Sequence, residues 1–199
     1  MRDEGNEYVT DWSPDGRFIL YNSGAGRSQT GADVWLLPVD GAPKPQPLLQ
    51  TTFAETQARF SPDGRWVAYQ SSESGRPEIY VTRSDGSGKW QISGAGGVSA
   101  RWRRDGRELF FVSSDDFLTS VDVNGTGTAF QIGNMRKLFG VRLRRAAYFS
   151  RFTGGAANLG AGRSYDVTPD GQRFIVNVVP DDATSPPITV ITNWTATLR

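Results

Sequence analysis

Two residue types are missing from the chain altogether. Without cysteine there is no disulfide framework and no thiolate nucleophile, a composition that suits either redox compartment. Without histidine there is no Ser-His-Asp or Cys-His triad, no imidazole base and no His-ligated zinc. Catalysis would have to run on carboxylates, Lys, Tyr or a hard metal ion. Charge of one sign is lacking too: 22 Lys+Arg against 21 Asp+Glu leave a net charge of +1. No global field therefore steers the chain to nucleic acid or to a membrane surface. No apolar run approaches the ~18 residues of a membrane-spanning helix. The polar start Met1-Arg-Asp-Glu-Gly-Asn6 has no signal-peptide core, so any export signal is expected outside this chain.

What the chain does have is a repeated turn. Trp12-Ser-Pro-Asp-Gly-Arg17 returns as Phe60-Ser-Pro-Asp-Gly-Arg65. Two worn copies follow, Trp102-Arg-Arg-Asp-Gly-Arg107 and Val167-Thr-Pro-Asp-Gly-Gln172. Pro presets φ, Asp hydrogen-bonds its own backbone, and Gly takes the left-handed position. A Cβ at that glycine costs roughly 1–2 kcal/mol. Asp15-Gly16, Asp63-Gly64, Asp105-Gly106 and Asp170-Gly171 are thus structural turns. Their aspartates are not read as the paired carboxylates of a glycosidase, because each already has a turn to make.

The turns lie roughly 40 to 65 residues apart, near the ~40–45 residue repeat of a propeller blade. After each comes an apolar strand: Ile19-Leu-Tyr21, Val67-Ala-Tyr69, Leu109-Phe-Phe111 and Phe174-Ile-Val176. Successive apolar residues imply burial on both faces. Third strands follow at 33–37, 78–82, 117–121 and 188–192. Asp40-Gly41, Asp85-Gly86 and Asn124-Gly125 then make a second hairpin. Fourth strands are expected near 46–49, 89–92 and 128–132, while the last copy has too little chain for one. No stretch keeps helical periodicity, so the fold is all-β. It is expected to be a β-propeller of four recognisable blades over 7–52, 55–96, 98–140 and 164–199. The missing fourth strand points to an incomplete part of a larger ring of about six blades, with an insertion at 133–163.

Ser-Pro-Asp-Gly-Arg, the apolar strand after it, Glu78-Ile-Tyr-Val81 and Asp85-Gly-Ser-Gly88 resemble the TolB-like, WD40-like (PD40) propeller repeat family. The stretch Ser164–Val176 with Pro187–Trp194 resembles the C-terminal propeller part of bacterial sensor proteins such as serine/threonine kinases. The resemblance implies a non-catalytic module that binds a protein or peptide partner without a cofactor. It also implies an extracytoplasmic, periplasmic setting. The same family includes the regulatory propellers of serine peptidases, and a carbohydrate or small-molecule binder is a further alternative.

The tight turns fall at one end of the blades and the longer links at the other, which is the expected binding face. There the segment from Gln131 to Ser164 carries seven basic residues and no acidic one. Arg136, Lys137, Arg142, Arg144, Arg145 and Arg151, with Tyr148 and Phe149 among them, are the candidate partner-binding residues. Arg forks suit carboxylate or phosphate and aromatics offer stacking surface. The competing reading is a solvated insertion packed on the blades. Asp115-Asp116 and Asp181-Asp182 are read as charge balance for it rather than as a metal site. No nucleic-acid signal stands out, and open blade edges leave room for a homo-oligomer.

Overall fold

The computed structural model describes residues 7–23, 31–41, 44–127, 129–141 and 165–177, and the backbone of 188–192. Among them there is no helix. Sheet 1 is an antiparallel meander of β1 (Glu7–Trp12), β2 (Phe18–Ser23), β3 (Asp33–Pro38) and β4 (Gln46–Leu49). Sheet 2 repeats it with β5 (Glu55–Phe60), β6 (Trp66–Ser71), β7 (Glu78–Arg83) and β8 (Trp90–Gln91). Sheet 3 holds β9 (Gly97–Trp102), β10 (Glu108–Ser113), β11 (Phe117–Asn124) and β12 (Gln131–Gly140). Sheet 4 is three-stranded, with β13 (Tyr165–Val167), β14 (Arg173–Asn177) and β15 (Ile188–Thr192).

The turns are built from more than Pro, Asp and Gly. In the first copy, Ser13 Oγ donates to Asp15 Oδ1 at 2.6 Å and accepts the Phe18 amide at 2.8 Å. The Arg17 amide donates to the same carboxylate at 3.1 Å. The second copy repeats this with Ser61 and Asp63, and the fourth with Thr168 and Asp170. In the third copy Arg103 stands where the others have a hydroxyl. Its guanidinium holds Asp105 through two contacts of 2.8 Å, so the turn survives with a different latch.

The turns also meet across sheets. A Cβ on Gly64 would lie 3.7 Å from Pro14 Cδ, and one on Gly106 would lie 3.8 Å from Pro62 Cδ. Each proline therefore rests on the next turn's glycine. First strands pack side by side, β1 on β5 and β5 on β9. Between sheets 1 and 2 lie Leu20, Val34, Val67, Tyr69 and Tyr80. Trp66, Ile79, Leu109 and Phe111 fill the space between sheets 2 and 3. Phe110, Val112, Tyr165 and Phe174 fill that between sheets 3 and 4. The sheets stack face to face in chain order.

Two expectations are corrected. The fourth strand of sheet 3 is Gln131–Gly140, not a strand near 128–132 followed by an insertion from 133. Exposed edge residues hide it from an apolar-pattern reading, whereas pairing with β11 from Asn124↔Gln131 to Phe117↔Gly140 defines it. Burial of both faces holds for β6 and β10 but fails in β14, which alternates exposed and buried. Only one face of β14 has a neighbouring sheet among the described residues. For the same reason β2 is less completely buried than β6.

Candidate functional site

The expected basic site divides. Arg136 and Lys137 lie on β12, an edge strand, not on a long loop. Arg142, Arg144, Arg145, Tyr148, Phe149 and Arg151 lie outside the described residues. The Arg136 guanidinium donates to Asp122 at 2.8 Å and to Glu108 at 3.1 Å. Glu108 also takes Arg103 at 2.8 Å. Lys137 pairs with Asp115 and sits 5.1 Å from the Phe117 ring centroid. Lys137 first, then Ser113, holds the Asp115 carboxyl below its ordinary range. Both cations are spent on carboxylates of their own sheet.

The long-link end of sheets 1 and 2 carries a buried polar seam. Asn22 donates to the carbonyls of Asp33 at 3.2 Å and Glu55 at 2.9 Å, and accepts the Gln57 amide at 3.2 Å. It fastens the two sheets through backbone groups of both. Asp33 and Glu55 are almost fully buried. Glu55 Oε1 accepts from Thr51 at 2.7 Å, but Glu55 Oε2 and Asp33 Oδ1 have no donor among the described residues. Burial pushes both carboxyls above their ordinary range. In sheet 2 the matching residue, Glu78, is satisfied by Arg76, Gly96 and Ser93.

The first strands carry a second repeated feature. Pairing slips once in β1–β2, β5–β6 and β9–β10, the mark of a β-bulge. Within the slips of β5 and β9, Gln57 (φ 54°) and Ser99 (φ 60°) are left-handed without being glycine. Ser99 Oγ donates to Gln57 Oε1 at 3.2 Å, tying sheet 3 to sheet 2. Such conformations cost ~1–3 kcal/mol and gather at functional surfaces. Next along stand Asp11, Arg59, Arg101 and Asp166, each four residues ahead of its turn aspartate. Arg59 pairs with Asp11 at 3.5 Å. That offset is visible in the sequence, but the apolar-strand search passes over it.

At the tight-turn end, a cavity of about 570 Å³ opens between sheets 2 and 3. Trp66, Trp102 and Phe130 form its apolar wall, and Arg104, Arg107 and Asn124 stand at its polar side. This end was not the expected binding face.

Comparison with known proteins follows the same architecture. A solved structure assigned to TolB from Agrobacterium tumefaciens superposes with a TM-score of 0.56 at 26% identity, covering 68% of this chain and 50% of that one. TolB from Acinetobacter baumannii gives a TM-score of 0.63 at 16% identity over 95% of this chain and 44% of its own. This chain is a TolB-like β-propeller array. Its four described sheets are propeller blades. An uncharacterised protein of Agrobacterium fabrum is 29% identical over 66% of this chain and 46% of its own length. Tricorn protease homolog 1 of Streptomyces coelicolor is 32% identical over 39% of this chain but 7% of its own. An oligogalacturonate lyase solved with manganese shares the fold, with a TM-score of 0.59 at 13% identity. No family model matches. The chain spans about half the length of the TolB-assigned structures it matches.

Proposed function

We propose that these blades form a non-catalytic interaction module, the sensor part of a larger bacterial protein working outside the cytoplasm. A protein or peptide docks on the long-link end. The observation that carries this reading is the polar seam there: Asn22, Asp33 and Glu55 hold two sheets together, yet two buried carboxylate oxygens find no donor among the described residues. A chain without histidine or cysteine has few ways to turn such a surface to catalysis. Exposed Phe53 adds an apolar anchor beside it.

The test is a peptide-display selection against the full chain, followed by variants at both ends of the blades. Phe53→Ser and Glu73→Lys, the latter in the β6–β7 link where Glu73 pairs with Lys89 at 2.6 Å, are expected to abolish selected binding, while Arg107→Glu leaves it intact. The reverse pattern defeats the proposal. It would favour a second reading, a small-molecule or carbohydrate binder seated in the Trp102–Arg107 cavity. The role of a peptidase's regulatory propeller draws support from the short Tricorn homolog match.

A further inference from the structure

Between sheets 3 and 4, close to the first strands, a largely buried guanidinium stands beside a phenol hydroxyl that has no hydrogen-bond partner among the described residues. Arg101 is only 9% exposed. Its Nη1 donates to the Ala100 carbonyl at 2.7 Å, and its Cζ lies 5.6 Å from the Tyr165 ring centroid. A guanidinium carries five N–H donors, and no carboxylate among the described residues forms an ion pair with this one. Asp166 holds the matching position in sheet 4, and its Oδ1 accepts the Val167 amide at 3.0 Å. The Tyr165 ring is fully enclosed, and its hydroxyl has no hydrogen-bond partner among the described residues.

Burial pushes the Tyr165 hydroxyl well above the ordinary phenol value, Asp166 adds to that shift, and the guanidiniums of Arg101 and Arg59 act against it. Arg59 is already engaged by Asp11 and the Thr10 carbonyl. Arg101 is held by the Ala100 carbonyl and the Tyr165 ring and forms no comparable carboxylate pair among the described residues. A buried cation is costly unless it is paired and hydrogen-bonded. A buried phenol donor without an acceptor carries a further cost.

We propose that Arg101 and Tyr165 form an anion site that takes a carboxylate, gripped by the free edge of the guanidinium and by the phenol hydroxyl. A planar fork beside a single hydroxyl donor suits the two oxygens of a carboxylate. The group comes either from a small free acid or from an acidic side chain of a polypeptide. The site is separate from the long-link seam and does not depend on it.

The probes are sodium acetate and a hexaglutamate peptide, titrated into the full chain at constant ionic strength with chloride as control. Binding is read from the Arg101 Nε–H resonance and from the Tyr165 near-ultraviolet band. Saturable shifts with wild type are expected, and Arg101→Gln weakens binding by about tenfold or more, as loss of a charge-assisted pair requires. Tyr165→Phe keeps the ring and weakens binding less. Should Arg101→Gln fail to fold, Arg101→Lys keeps the charge but loses the fork, and weaker binding is still expected. A response to acetate alone assigns the site to small acids. A response to the peptide alone, or to both, assigns it to acidic segments as well. No saturable response to either probe, or equal affinity in wild type and the Arg101 variant, overturns the proposal.

Discussion

Sheets 2 and 3 have a neighbour on each side, while sheets 1 and 4 have a described neighbour on one side only. Matching positions show what that difference does. Phe60, on the face of sheet 2 toward sheet 1, is 7% exposed, but Trp12 at the same place in sheet 1 is 57% exposed. Phe110, on the face of sheet 3 toward sheet 4, is fully buried, while Ile175 at the same place in sheet 4 is 45% exposed. The residue chemistry is the same and the surroundings differ. Burial here comes from stacking sheets and not from any one sheet, as repeat architectures require.

Substitutions at matched positions can break that comparison. The largest effect belongs to Phe110→Ala, expected to cost ~3–5 kcal/mol by cavity formation. Ile175→Ala, at the matching exposed site, should stay within about 0.5 kcal/mol. Denaturant titration of both variants checks this, and equal losses would mean that the outer face of sheet 4 is covered. Next comes Gly64→Ala in the turn of sheet 2, with a left-handed φ of 71°. It should cost ~1–2 kcal/mol although no clash is in the way, because the nearest atom lies at 3.7 Å.

The smallest effects are those of pH. Hydrogen bonds from Ser13, Arg103 and Thr168 hold the carboxyls of Asp15, Asp105 and Asp170 below their ordinary value. Their contribution is complete above the unfolded aspartate pKa and is lost as pH falls through the lower folded values. Asp33 and Glu55, raised by burial, act with the opposite sign. Theirs is complete below the unfolded values and is lost as pH rises through the folded ones. Thermal melts between pH 3 and 7 should therefore show Asp170→Asn flattening the acid-side loss. Glu55→Gln should remove a loss of stability on the rising side.

Much of the fold could be read from the chain because its signals are local. An Asp-Gly pair with Pro before it specifies a turn wherever it stands. β4 and β15 fall on the stretches 46–49 and 188–192 expected for them. The signals that failed are set by contacts distant in sequence. β12 is recognised by its pairing with β11, since seven of its ten residues form one exposed run. Arg136 and Lys137 look unbalanced in a segment without acids, but Glu108, Asp115 and Asp122 reach them across the sheet. Asn22, Gln57 and Ser99 gain meaning only once two sheets meet. The polar seam was therefore invisible to a reading of composition.

The central claim is that these sheets stack as blades, leaving one face of sheet 1 that no described sheet covers. Hydroxyl-radical footprinting of the full chain, read residue by residue, tests it most directly. Rapid oxidation of Trp12 alongside protection of Phe60 and Trp66 is the predicted result. Equal protection of Trp12 and Phe60 would contradict the account.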